Sequence, residues 1–319
     1  MSMSEQQVAF DVVIIGGGAA GLSAALVLGR ARREVLVVDS GDPRNSIAAH
    51  MHGYLSRDGL PPSELLALGR EEVRRYGVHL WPSTAVGLKQ GDTGWSVAMA
   101  DGVEVDARHV LVATGLSDVL PDVPGVMESW GRDVLHCPYC HGWEVRDQPL
   151  CVLATEPQAV LKALTVSRWS DDVTLLMHGF DSADLSAEDH RRLAAVGIEA
   201  VSGPVVRLTS TDGRLAGVEL GDGHVVPCAA VFVEPDLAPR DDLLRLAGAE
   251  IEETPQGEFV KTDADGHTSV AGLWAVGNVG NATEQVITAA ASGHRSAVAL
   301  SSELILEDVD AAVVATGAR

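Results

Sequence analysis

Val12-Val13-Ile14-Ile15-Gly16-Gly17-Gly18-Ala19-Ala20-Gly21 is the stretch on which the fold turns. Four branched apolar residues in a row suit a strand buried on both faces, as parallel sheets have. The glycines that follow satisfy G-x-G-x-x-G through Gly16, Gly18 and Gly21, between that strand and a helix expected from Ala19 to Arg32. A second apolar run, Val35-Leu36-Val37-Val38, ends at Asp39 and completes a βαβ unit. These residue types fit one chemistry. Gly16 allows a tight turn, Gly18 lets backbone approach a pyrophosphate and Gly21 lets the helix pack on the strand. The helix N-terminus then faces the phosphates, and Asp39 is placed to accept from a ribose hydroxyl.

The whole chain has 319 residues, 46% hydrophobic and 21% charged, an ordinary globular composition with room for two medium domains. Its 23 basic and 45 acidic residues give a net charge of −22, which disfavours nucleic acid and anionic membranes as partners. The most apolar stretch, Val8 to Gly29, carries Asp11 and a cluster of glycines, so a strand, a turn and a buried helix account for it better than a membrane span. Glu5 stands where an export signal would have Lys or Arg, and a cytoplasmic location is expected.

Further along, the pattern predicts a helix from Pro61 to Tyr76, short β-rich segments near Leu80 and from Trp95 to Val105, and a strand from His109 ending in Ala113-Thr114-Gly115. Pro121, Pro124 and Gly125 then mark the exit from a first domain near residue 118. The βαβ pattern returns as Leu150 to Leu153, a helix from about Pro157 to Trp169, and Val173 to Met177. Ala230 to Val233 is another strand, Asp241 to Ala247 a helix, and Thr283 to Leu306 a long helix of small residues. The expected division is 1–118, 119–244 and 245–319, with the outer segments forming one domain.

Cys137-Pro138-Tyr139-Cys140 is a C-x-x-C pair flanked by His136 and His141. A closed zinc site needs further ligands, and no second C-x-x-C accompanies this one. Cys151 and Cys228 lie in or beside apolar strands and read as small buried residues. A redox-active dithiol fits better, with one neighbouring imidazole carrying the proton when the thiolate forms. The residues alone do not choose between His136 and His141.

Gly16 to Gly21, Ala113-Thr114-Gly115, the cysteine pair, and Ala275-Val276-Gly277-Asn278 followed by Glu284-Gln285-Val286 together resemble the low-molecular-weight thioredoxin reductase family, over nearly the whole chain. Pro43-Arg44-Asn45, His50-Met51-His52-Gly53 and Cys137 to Gly142 are most similar to the branch containing the gliotoxin- and holomycin-type dithiol oxidases. The resemblance implies an α/β, two-domain thioredoxin reductase-like fold: a Rossmann-type FAD-binding domain and an inserted, smaller nucleotide-binding-like domain carrying the CxxC. It places the adenine half of FAD on Gly16, Ala20 and Asp39, with Gly18, Gly21, Asn45, Ala113, Thr114 and Gly115 in the same cofactor-binding set. Asn278 would approach the ribityl chain, and Gln285 and Val286 the pyrimidine edge. Family members usually have Asp at the position of Asn278; an amide still accepts through its oxygen and also donates. The family pattern makes Cys140 the flavin partner and Cys137 the sulfur that exchanges with substrate.

The second βαβ unit departs from the reductases. Its turn reads Ala154-Thr155-Glu156-Pro157-Gln158-Ala159, with no glycine, a carboxylate near the expected pyrophosphate, and a proline that removes a backbone donor. Where reductases carry a His-Arg-Arg run for the 2′-phosphate of NADPH, this chain has Met177-His178-Gly179. His190-Arg191-Arg192 follows Ser186-Ala187-Glu188-Asp189, a capping-box-like start, and reads as a solvated helix face. The expectation is therefore an FAD-dependent oxidase of a small-molecule dithiol, with oxygen as acceptor, hydrogen peroxide as product, and a homodimeric assembly. The alternatives are an NADPH-dependent thioredoxin-disulfide reductase, a reductase fed by ferredoxin or another protein donor, and a flavin-binding redox sensor.

Overall fold

The computed structural model describes residues 9–317; Glu5 and Val8, on which part of the reading of the N-terminal region rests, lie outside the described residues. The chain forms two compact units. One comprises the chain up to Ser46, Pro61–Ser117 and Leu237 onward; the other comprises Ile47–Leu60 and Asp118–Asp236.

In the first unit, β1 (Ala9–Ile15), α1 (Ala19–Arg30) and β2 (Val35–Val38) form the expected βαβ, followed by α2 (Pro62–Arg74), β3 (His79–Trp81), β4 (Ala85–Gln90), β5 (Trp95–Met99) and β6 (Glu104–Val112). Alternation along β1 explains why both of its faces are apolar. Val12 and Ile14 pack with Leu22, Ala25 and Leu28 of α1, whereas Val13 and Ile15 pack with Val97 and Met99. Helix α1 ends two residues short of Arg32, which adopts a left-handed φ of 63°.

The chain leaves on β7 (Leu116–Val119) into the second unit: α3 (Val126–Ser129), β8 (Val134–Leu135), α4 (Pro138–His141), β9 (Leu150–Ala154), α5 (Val160–Val166), β10 (Val173–Met177), α6 (Ala187–Ala195), β11 (Glu199–Ser202), β12 (Val205–Thr211), β13 (Arg214–Leu220), β14 (Val225–Pro227) and β15 (Ala230–Val233). Its main sheet has the order β11-β10-β9-β15-β8, all parallel. The antiparallel β12-β13-β14 sheet was not part of the sequence reading. It covers a core that includes Cys151 and Cys228, 0% and 5% exposed.

β16 (Asp236–Pro239) brings the chain back to α7 (Asp242–Leu246), β17 (Ile251–Thr254), β18 (Gly257–Val260), β19 (Leu273–Ala275) and α8 (Val286–Gly317). The division therefore differs from the expected one. The return falls at 236/237 rather than 244/245, because Leu243 and Leu244 are buried in the first unit's core. Residues 47–60 belong to the second unit, where Ile47 packs so tightly on Gly131 that a Cβ there would lie 2.8 Å from its Cδ1.

Helix α8 starts after the expected Thr283, because the Asn281 side chain takes the Thr283 N–H (3.0 Å) and holds a loop. It continues well past Leu306 through a run free of Pro and Gly until Gly317. Its close approach to α1 demands Gly293, where a Cβ would stand 2.0 Å from the Ala20 carbonyl oxygen. No helix among the described residues is long and apolar enough to cross a membrane.

Candidate functional site

Strand register assembles a candidate cofactor site in the first unit. In the parallel part of this mixed sheet Ile15 is level with Val38 and Val112, and Ala275 is level with Val112. The residues just past these strand ends are Gly16, Asp39, Ala113 and Val276, with Gly277 following, so four loops converge on one edge of the sheet, where open α/β sheets bind ligands.

The glycines there are of two kinds. Gly16 has φ +110°, and a Cβ on it would lie 2.3 Å from the Ala113 carbonyl oxygen; one on Gly21 would lie 1.9 Å from the Gly16 oxygen. Both are required by backbone packing. Gly18, in contrast, caps α1 with φ −77°, and a Cβ on it would meet nothing within 4 Å. No side chain caps this helix and no acid lies in its first turn, so its terminal amides remain available to an anion. That cradle fits a dinucleotide pyrophosphate.

The other cofactor candidates of this unit fall around it. Ala20 is buried against Gly277, whose Cβ would lie 3.0 Å from that of Ala20. Asp39 accepts from Gly41 N–H (3.3 Å) and from Arg70 on α2 (2.9 Å), a partner that sequence reading did not foresee. Asn45 is half-buried in the turn that Ser46 N–H closes onto the Pro43 carbonyl (3.0 Å). Ala113 N–H donates to Ile15 (2.7 Å), Thr114 Oγ1 donates to the Arg240 carbonyl (2.6 Å), and Arg240 N–H donates to the Gly115 carbonyl (2.9 Å). Arg240 also reaches Ser117 (2.9 Å) and Asp42 (3.0 Å), clamping two of the converging loops.

Asn278 explains its own departure from the family Asp. Its Nδ2 shares two hydrogens among the carbonyls of Asn281 (3.1 Å), Ala282 (3.2 Å) and Glu284 (2.9 Å), which a carboxylate could not do. The loop so gathered leads into Gln285, whose N–H donates to Thr288 Oγ1 (2.8 Å), and into Val286 at the head of α8. Glu284 accepts from Ser292 Oγ (2.9 Å), and burial raises its carboxyl above the ordinary range.

The dithiol lies in the second unit. Pro138, with φ preset, starts a single helical turn on Cys137, and the two cysteines form a disulfide with Cα atoms 5.3 Å apart. Gly142 is needed directly after it, since a Cβ would press within 2.6 Å of both the Pro138 oxygen and the Trp169 ring.

The two histidines differ. His136 Nε2 lies 3.1 Å from Glu234 Oε1, and Glu234 is ion-paired to Lys162. Burial works to raise the Glu234 carboxyl, but the His136 hydrogen bond and the Lys162 charge outweigh it and hold it below the usual carboxylate range. Burial pulls the Lys162 ammonium down, and Glu234 offsets part of that. His141 is held below the ordinary histidine range by burial, opposed by Glu144 and reinforced by His52 and His136. His52, from the 47–60 segment, lies 3.4 Å from both Asp58 and Glu144. Among the described residues no group of three or more His, Cys, Asp or Glu is arranged to hold a metal ion.

The turn after β9 is built differently from that after β1. Glu156 is extended, Pro157–Ala159 form a 3-10 turn, and α5 begins only at Val160. Ala159 N–H is spent on the Glu156 carbonyl (3.1 Å), and the Val160 N–H likewise turns back into the 3-10 turn. After β10, His178 Nδ1 accepts from Val205 N–H (2.9 Å). Arg191 and Arg192 lie on the exposed face of α6, both paired to Glu188, and Ser186 caps that helix through Asp189 N–H (3.1 Å).

The model of the pyridine nucleotide-disulphide oxidoreductase family matches residues 10–293. The chain belongs to that family. It is a thioredoxin reductase-like flavoprotein oxidoreductase. Among curated relatives, thioredoxin reductase tcpT of Claviceps purpurea is 31% identical over 93% of this chain and 95% of its own, and thioredoxin reductase sirT of Leptosphaeria maculans is 31% identical over 89% and 91%. Among solved structures, HlmI superposes with a TM-score of 0.91 at 47% identity over 99% of both chains. The putative thioredoxin reductase TrxB of Bacillus anthracis gives 0.86 at 32% over 93% of this chain and 99% of its own.

Proposed function

We propose that the chain is an FAD-dependent oxidase of small-molecule dithiols, using the Cys137–Cys140 disulfide as first acceptor and oxygen as last, with hydrogen peroxide as product. The observation that carries this reading is the turn after β9: a glycine-free 3-10 turn that begins with a proline and turns the Ala159 and Val160 amides back into itself, in the unit that also holds the disulfide. Losing phosphate donors and guanidinium contacts, each charge-assisted and worth about 1.5–3 kcal/mol, weakens NADPH binding by orders of magnitude. Thiols remain as the source of electrons.

FAD fits the cradle of Gly16, Gly18, Ala20, Gly21, Asp39, Asn45 and Ala113 to Gly115, with Asn278, Gln285 and Val286 toward its other end. When bound it supplies an acceptor for an electron pair. Cys137 takes the attack of a substrate thiolate, Cys140 leaves as a thiolate, and a second substrate thiolate resolves the mixed disulfide. The reading carries with it a small-molecule dithiol and oxygen as partners, a homodimer, a cytoplasmic setting, and no nucleic acid or membrane partner.

A second reading, an NADPH-dependent disulfide reductase, draws on the relatives named thioredoxin reductase. Anaerobic titration separates the two. The flavin of the purified protein should bleach with dithiothreitol, recover in air with peroxide formed, and scarcely respond to NADPH. Rapid bleaching by NADPH overturns the oxidase reading.

A further inference from the structure

Strand β15 runs parallel to β8 with Phe232 level with Leu135. β8 ends at Leu135 and β15 one residue past Phe232, which sets Glu234 beside His136, the residue before the disulfide. Lys162, on the helix that follows β9, completes the group. Its side chain is only 10% exposed. Its ammonium donates to the carbonyls of His136 (3.0 Å) and Val233 (2.9 Å) and pairs with Glu234, using all three of its N–H bonds.

We propose that Glu234, anchored by Lys162, is a positioning residue that makes His136 the proton carrier of the Cys137–Cys140 centre. The inference rests on the dithiol-oxidising reading above. It answers the question that the two flanking histidines leave open in the sequence.

The argument is one of tautomers. With the Glu234 carboxylate held ionised and 3.1 Å from Nε2, the neutral His136 ring carries its hydrogen on Nε2 and its lone pair on Nδ1. Nδ1 is thus the atom that exchanges protons. A substrate thiol gives its proton to Nδ1, and the thiolate attacks Cys137 Sγ. The new sulfur–sulfur bond forms as the Cys137–Cys140 bond breaks, and Cys140 leaves as thiolate beside an imidazolium whose charge Glu234 balances. The second substrate sulfur displaces Cys137, which leaves as a thiol carrying the proton that the second substrate thiol gives up; substrate has then lost two electrons and two protons, one proton resting on His136 and one on Cys137, and the cysteine pair has gained the electrons.

His141 lacks this support. Burial disfavours its charged form, Glu144 opposes that, and His52 and His136 add to it. The lysine that anchors Glu234 belongs to α5, the helix whose start has lost its phosphate-binding form. That helix serves the dithiol instead.

The test uses the full-length flavin-loaded protein with dithiothreitol as probe. Glu234→Gln keeps the size of the side chain but removes its charge and its demand for a donor. Under anaerobic conditions we expect the rate of flavin bleaching to fall about tenfold or more, within the range that general acid–base groups supply, with an altered pH profile and unchanged reoxidation in air. In a His136→Gln background Glu234→Gln should add no further loss, whereas in a His141→Gln background its effect should persist. Alkylation of the reduced Cys137 by iodoacetamide, followed against pH by mass spectrometry, should shift in Glu234→Gln without reference to flavin, and Lys162→Arg should retain more activity than Lys162→Met.

Wild-type bleaching by dithiothreitol with an unaltered pH profile in Glu234→Gln, or additive loss with His136→Gln, overturns the inference. Failure of the wild type itself to respond to dithiothreitol would instead sink the oxidase reading.

Discussion

Gly18→Ala separates cofactor binding from folding. At this position φ is −77° and ψ −170°, conformations open to alanine, and the added methyl meets no atom within 4 Å. Alanine is a poorer helix N-cap than glycine by under about 1 kcal/mol, while restriction of the unfolded chain returns about 0.4–1 kcal/mol, so the apoprotein should keep its stability. On the proposed reading, however, the methyl occupies the space through which a pyrophosphate would reach the α1 amides. Loss of two charge-assisted hydrogen bonds amounts to about 3 kcal/mol or more, roughly a hundredfold weaker FAD binding. Gly21→Ala is the contrasting case, since its methyl would lie 1.9 Å from the Gly16 oxygen and should cost the fold itself about 1–3 kcal/mol. Apoprotein of each variant would be melted in urea and titrated with FAD by fluorescence quenching. Wild-type affinity in Gly18→Ala would refute the placement of the phosphates, and a loss of apoprotein stability equal to that of Gly21→Ala would refute the distinction between the two glycines.

Cys140→Ser should retain flavin yet show no bleaching with dithiothreitol, measured anaerobically by absorbance; an active variant would reverse the assigned roles of the two sulfurs. Asn278→Asp should lower stability by about 1–3 kcal/mol in urea unfolding at neutral pH, with partial recovery in acid, because a carboxylate would confront three carbonyl oxygens now gathered around the two hydrogens of Nδ2. For Glu284, burial raises the folded-state pKa above the ordinary glutamate value, so its contribution to stability is present in acid and lost as pH rises through the folded value. Glu284→Gln, which can keep the bond from Ser292, should flatten that decline in thermal melts taken from pH 4 to 8.

Much of the loop convergence proposed to hold FAD could be read from the chain because its parts are local. A strand of Val and Ile, a glycine pattern and an acid at the next strand end are contiguous signals, and parallel register does the rest, bringing Ala113 to Gly16 and Gly277 to Ala20. The cysteine pair was equally plain. Its surroundings were not, since Lys162 and Glu234 come from distant segments and meet only through tertiary packing, as do His52 and Glu144. A lone lysine within Val160-Leu161-Lys162-Ala163-Leu164 was the available hint, because an ammonium on an apolar helix needs acceptors. The antiparallel sheet after β11 escaped notice because half-exposed strands lack the unbroken apolar runs of the parallel ones. Residues 47–60 were assigned by continuity along the chain, whereas Ile47 follows its packing partner into the other unit.

Cys151 and Cys228 sit inside a packed sheet, out of reach of a water-borne alkylating reagent. The folded enzyme therefore reports its oxidation level by simple counting: no labelled sulfur when the reactive pair is bridged and two when it is open. Denaturant adds two to either tally, giving every preparation an internal standard for the fraction of chains still folded.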